Sequence, residues 1–279
     1  MHPILLFVVA APLLASTAPT AVTTYKDPRL QVSLISAKSV LVPGRTTLLG
    51  VHIEHAPHWH TYWINPGDSG LATRLHWTLP PGYRAGDIQW PTPRRLTQGD
   101  IHDFGYVGDT LLPVELRVPA DARPGSTAHL QVEAKWLVCR ERCIPGKARL
   151  SLDLPVGKTA ASEQRSASLF AQSRADQPQP VDWKGNATLQ GNRIEVSLQE
   201  PKLAAHATLD AYAQTTQVVA NAPPRITRHA NRIELSFAKN EYYVAAPSHL
   251  ILVLTATRGE QRHAYRIQVP FAAEPAPSS

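Results

Sequence analysis

Sulfur is scarce in this chain. Among 279 residues there are two cysteines and one methionine. The lone methionine argues against a soft-metal carrier built on thioether ligands. Two cysteines are too few for a disulfide-rich scaffold, and any structural bridge is at most one. Concentrated charge is missing too. The net charge is +6, but residues 22–156 carry 15 basic and 12 acidic side chains and residues 157–279 carry 13 and 10. Each half is therefore +3, with no block of Lys and Arg of the kind that tracks a phosphate backbone, so no nucleic-acid partner is expected. Long apolar runs are absent as well. The longest, Pro3 to Ala15 in "MHPILLFVVAAPLLASTAPTA", falls short of the roughly 20 residues that span a bilayer. Its length is that of a secretory h-region. A signal peptide over residues 1–21 is expected, with His2 as the only potential cation before the run. No cysteine follows it, which argues against a lipid anchor. The expectation is a soluble, exported protein without membrane insertion, in a compartment that favours oxidised cysteine pairs.

What is present is strand chemistry. The 25 prolines and 15 glycines sit mostly in turn-like clusters such as "NPGDSG", "PPG" and "ARPG". Between them, stretches such as "LQVSLISA", "TTLLGVHIEH", "LLPVELRV", "AHLQVEAKWLV" and "ARLSLDLPV" alternate apolar and polar residues. No βαβ rhythm appears. The predicted fold class is all-β, with two antiparallel β-sandwich domains in tandem. "GKTAASEQRSASLFAQSRADQPQP", residues 157–180, interrupts the alternation and is expected to be a linker with a short helix. Alternation returns over 181–272, and 273–279 is expected to be a disordered tail. "GNRIEVSL" and "ANRIELSF" (191–198 and 230–237) look alike, but two copies do not make a repeat array.

Chemistry concentrates in "KWLVCRERCIPG", Lys135 to Gly146, which holds both cysteines. On one straight strand Cys139 and Cys143 would lie about 13 Å apart, beyond disulfide reach. A three-residue hairpin loop instead sets them opposite each other, at cross-strand distances of about 4.5–5.5 Å that suit a bridge. Such a short loop constrains the unfolded chain by only about 2 kcal/mol, so a bridge there is a poor staple. Arg140, Arg142 and Lys135 favour a thiolate and Glu141 opposes it. From the residues alone, a redox pair, a structural staple and a metal clip all stay open. In "VHIEHAPHWH", His52, His55 and His58 are weak candidates for copper or zinc. Strand alternation separates His52 and His58 from His55, and no second ligand group follows. "GDSG" (67–70) is turn chemistry, since nothing nearby supplies the base and orienting acid of a triad.

Four motifs in order, "HWHTYWINPGDSGLATRLHWTLPPGY", "IQWPTP", "FGYVGDTLLPVEL" and "WLVCRERCIPG", resemble the periplasmic N-terminal region of the thiol:disulfide interchange protein DsbD family. Within it, the likeness is to the ScsB-type suppressor-of-copper-sensitivity branch. The resemblance is strong over roughly residues 30–156 and looser beyond. It implies that the two tandem β-sandwich domains are immunoglobulin-like, the first a redox domain over 22–156, without a cofactor, in which Cys139 and Cys143 form a reversible disulfide and act as the catalytic pair. Cys143 would form mixed disulfides. Phe104 and Tyr106 would cap the disulfide, with Asp103 beside them and Tyr62 in support. Electrons would pass between a membrane-embedded electron-transfer protein, here expected as a separate chain, and a periplasmic thioredoxin-like partner. The rival expectation is a non-catalytic binding module with a structural disulfide, holding copper through the histidines.

Overall fold

The computed structural model describes residues 23–199, 203–204 and 206–272; the expected signal peptide and C-terminal tail lie outside them. The first half contains β1 (Thr24–Lys26), β2 (Leu30–Ser36), β3 (Thr46–His55), β4 (His60–Gly67), β5 (Arg74–Thr78), β6 (Arg84–Ile88), β7 (Arg94–Gln98), β8 (Ile101–Val107), β9 (Asp109–Arg117), β10 (Thr127–Cys139) and β11 (Cys143–Pro155). A helix, α1 (Ala167–Ala175), follows. The second half contains β12 (Gln179–Pro180), β13 (Lys184–Gln190), β14 (Arg193–Gln199), β15 (Thr208–Ala213), β16 (Arg225–Arg228), β17 (Arg232–Ala238), β18 (His249–Arg258) and β19 (Gln261–Pro270).

These strands form two successive sandwiches. In the first, a sheet ordered β1-β2-β3-β9-β6 faces a sheet ordered β11-β10-β4-β8-β7, with β5 also paired to β10. In the second, β12-β19-β18-β15 faces β13-β14-β17-β16. The alternation in sequence explains the layers. Along β10, Ala128, Leu130, Val132, Ala134, Trp136 and Val138 are buried, while His129, Gln131 and Lys135 are exposed. Leu34, Leu49, Leu112 and Trp63 meet that face in a continuous core. Each fully buried side chain of this kind contributes roughly 1.5–3 kcal/mol. Strand β9 departs from alternation because both its faces are covered. The helix α1 packs over it, and Ser173 Oγ donates to the Leu111 carbonyl at 3.3 Å. Proline at 113 removes a ladder donor, and the β6–β9 register shifts beside it. The stretch 157–180 thus contains the expected short helix, laid against the first sandwich by buried Phe170 and by Ser166 Oγ donating to the Ser36 carbonyl at 2.6 Å.

The two look-alike stretches become β14 and β17, which pair antiparallel, Ile194 opposite Phe237 and Leu198 opposite Ile233. Their similarity reflects two neighbouring strands supplying the same face of one core. Between the sandwiches, Asn65 Nδ2 donates to the Ala213 carbonyl at 2.7 Å, and Asn221 Nδ2 donates to Asp68 Oδ1 at 2.8 Å. Arg95 sits between the Phe104 and Tyr212 rings, 5.0 Å from each centroid, and pairs with Asp210 at 2.8 Å.

Candidate functional site: the disulfide hairpin

Strands β10 and β11 pair without interruption from Thr127–Pro155 up to Cys139–Cys143, and only Arg140, Glu141 and Arg142 lie in the tip. The two cysteines close this hairpin as a disulfide, with Cα atoms 4.2 Å apart. The tight tip expected from the spacing is present. The sulfurs differ in access. Cys139 is 3% exposed, because it sits between β11 and β4 and pairs with His60. Cys143 begins the edge strand and is exposed.

The lateral row Cys143–Cys139–His60–Val107 fixes which side chains share the disulfide's face. By alternation, Tyr62, Gly105 and Asp103 belong to that face, while Phe104 and Tyr106 point to the other side, into the core. Phe104 is 1% exposed, edge-on to Trp63 and Tyr212. The Tyr106 hydroxyl donates to the Pro91 carbonyl at 2.8 Å. The cap expected of Phe104 and Tyr106 is therefore corrected: neither ring lies over the sulfurs, because the register of β8 on β4 turns both away.

The aromatic at the sulfur is Tyr62. Its hydroxyl lies 3.5 Å from Cys143 Sγ and 3.3 Å from His60 Nε2. Gly70 makes room for it, since a Cβ there would stand 2.1 Å from Tyr62 Cδ1. Burial, reinforced by the negative charge of Asp103, pushes the Tyr62 phenol up to about 12, so it keeps its proton throughout the physiological range. Burial also depresses His60, with Asp103 opposing, so the ring is held toward its neutral form. Asp103 is buried and accepts from Ser69 N at 2.8 Å and Ser69 Oγ at 2.7 Å. This bond ties the "GDSG" turn to β8, so the Ser69 hydroxyl is committed to a structural contact. Arg140, on the tip, stacks over Trp59 at 5.6 Å. Sequence reasoning passed over His60 as a neighbour of the sulfurs. The β4–β10 bridge that places it there leaves no local signal.

The other histidines serve the frame. His55 Nδ1 donates to the Gly108 carbonyl at 2.7 Å, and Thr61 Oγ1 then donates to Nε2 at 2.9 Å. Both ring nitrogens are thereby used and none is left for a metal. His52 is buried near Glu54 and Asp109, and His58 is an exposed loop residue with φ 70°. Among the described residues no three His, Cys, Asp or Glu side chains gather as a metal site. None of their helices is long and apolar enough to cross a membrane.

Two immunoglobulin-like sandwiches, the first ending in a disulfide-tipped hairpin with one open sulfur, define the class: a β-sandwich thiol–disulfide interchange module. Residues 31–155, which make up most of the first sandwich, match the family described as "Thiol:disulfide interchange protein DsbD, N-terminal". The N-terminal periplasmic domain of ScsB from Proteus mirabilis superposes with a TM-score of 0.67 at 18% identity, covering 90% of this chain and 99% of that one, so the whole two-sandwich fold is shared. A protein of unknown function from Porphyromonas gingivalis W83 aligns over 87% of this chain and 99% of its own at 11% identity, with a TM-score of only 0.25. No curated protein sequence matches the chain.

Proposed function

We propose that the chain is a periplasmic thiol–disulfide relay in which Cys143 exchanges with partners and Cys139 resolves. The observation that carries this reading is the asymmetry of the pair: an exposed Cys143 beside a protonated Tyr62 hydroxyl, and a Cys139 closed in between strands. In the reduced state the Cys143 thiolate attacks one sulfur of a partner disulfide. A Cys143–partner bond forms, the partner's own bond breaks, and its leaving thiolate takes up a proton. Cys139 then attacks Cys143, which reforms the intramolecular bridge and releases the second partner thiol. Two electrons and two protons pass to the partner. The Tyr62 hydroxyl can donate to the Cys143 thiolate, and neutral His60 can donate in turn to the Tyr62 oxygen, which lowers the cost of the charged sulfur. The family match over residues 31–155 and the ScsB likeness support a thioredoxin-like oxidised partner and a membrane-embedded electron-transfer protein that restores the dithiol.

The test is covalent trapping. Cys139→Ser is expected to accumulate mixed disulfides through Cys143 on non-reducing gels of exported protein, and Cys143→Ser far fewer. The reverse pattern would swap the roles. No trapped species from either variant, together with a reduction potential below about −300 mV, would make the bridge a structural staple and end the relay reading.

A further inference from the structure

The register that sets the disulfide's face continues down the hairpin. Two residues along, Leu137 pairs with Pro145; two further, Lys135 is flanked by Arg74 on one side and Lys147 on the other. Leaving the sulfurs along this face, the sheet therefore presents an apolar step and then a transverse row of three cations. At about 3.3 Å per residue the step lies about 7 Å and the row about 13 Å from Cys143. A hollow of about 550 Å³ opens here, its apolar wall supplied by Leu71 and Pro145 and its cationic side by Arg74, Lys135 and Lys147. Leu71 is 62% exposed. It is held between Gly70 and Ala72, which both lie against Tyr62, so the segment that walls the hollow also contacts the tyrosine of the sulfur site. Lys135 is paired with Glu133 at 3.0 Å, but no ion pair among the described residues engages Arg74 or Lys147.

We infer that this groove is the recognition subsite for the exchange partner, and that it takes an extended segment bearing an apolar side chain two residues, and a carboxylate four residues, from the partner's reactive cysteine. Extended chain on extended chain matches both spacings. The two unpaired cations supply the charge complement that selects an acidic residue over a basic one. This inference rests on Cys143 being the exchanging sulfur. It adds which disulfides are preferred.

The experiment uses the reduced full chain and the capped pentapeptide Cys-Ser-Leu-Ser-Glu, activated at its cysteine as the mixed disulfide with 5-thio-2-nitrobenzoate. The Cys143 thiolate attacks the peptide sulfur, and the coloured thiolate leaves and reports the rate. At low ionic strength this peptide is expected to react about fivefold faster than the analogue ending in lysine, a ratio in keeping with surface charge pairs. The ratio should fall toward one in about 1 M salt, where screening acts within about 3 Å. Combined Arg74→Glu and Lys147→Glu should reverse the preference. Leu71→Ser should abolish the advantage of leucine over serine at the middle position. All three sites are exposed, so the fold tolerates these changes. Equal, salt-independent rates for all the peptides would overturn the groove and leave the relay intact. No reaction with any peptide, nor with the symmetric aromatic disulfide of the same thiolate, would overturn both.

Discussion

At the scale of single residues, the site depends on one hydroxyl. Tyr62 stays protonated because it is buried beside Asp103, and its oxygen lies within reach of the one open sulfur. A hydrogen bond to a charged acceptor contributes about 1.5–3 kcal/mol, so the Cys143 thiolate of the reduced protein gains from it and the thiol pKa falls. Tyr62→Phe keeps the ring and removes only this donor. The variant is expected to shift the pH profile of Cys143 alkylation to higher pH, with a rate at pH 7 lower by roughly tenfold and rates that converge once both thiols are ionised. An unshifted profile would mean the hydroxyl does not face the thiolate. Much of this site is legible in the sequence. The four-residue spacing of the cysteines dictates a hairpin tip, and the apolar run before Cys139 dictates which sulfur is buried. The face of Phe104 is not legible. Alternation alone separates Phe104 and Tyr106 from Asp103 and Gly105, but which set joins the disulfide depends on the pairing of Tyr62 with Gly105, a contact set by tertiary register.

At the scale of elements, the first sandwich is pinned by a histidine that sequence reasoning weighed as a metal ligand. His55 ends β3 in one sheet, binds the Gly108 carbonyl in the β8–β9 turn, and accepts from Thr61 on β4 in the other sheet. Burial depresses its pKa to about 4, with the Gly108 bond pulling the other way. The folded value lies below the unfolded value of about 6.5, so the unfolded chain takes up a proton first as pH falls. The contribution is complete above about pH 6.5 and drains away between there and about pH 4. With the ring partly in contact with solvent, the loss should be roughly 1–2 kcal/mol, less than the full linkage value. Urea midpoints of the wild type should therefore drop further between pH 7.5 and 4.5 than those of His55→Gln. Parallel drops would place the acid sensitivity elsewhere.

At the scale of the whole molecule, the question is whether two sandwiches behave as one body. Strand patterning announces two domains, yet nothing local in "PTPRRLTQ" marks Arg95 as the residue that joins them, because its partners lie more than a hundred positions away. The side chain is 9% exposed. Its guanidinium donates to both Asp210 oxygens, to the Ala211 carbonyl at 2.8 Å and to the Asn221 carbonyl, and it stacks between Phe104 and Tyr212. Phe104 reaches this junction from β8, the strand that also carries Asp103 and Val107 on the disulfide's face. The redox face and the domain junction are thus opposite faces of one strand. Removing the cation leaves two carbonyls without this donor, leaves Asp210 to Ala211 N and solvent, and opens a gap between two rings, a change of about 1–3 kcal/mol for each buried group left unsatisfied. The loss falls on the junction, where Phe104 and Tyr212 carry the first core up to the second sandwich. Arg95→Ala is therefore expected to split a single calorimetric unfolding transition into two, the lower belonging to the second sandwich. Arg95→Lys should restore little, since an ammonium cannot reach four oxygens in the plane of a guanidinium or fill the slot between the rings. A single transition that merely moves to lower temperature in both variants would mean that the sandwiches are coupled through their other contacts, Asn65 with Ala213 and Asp68 with Asn221.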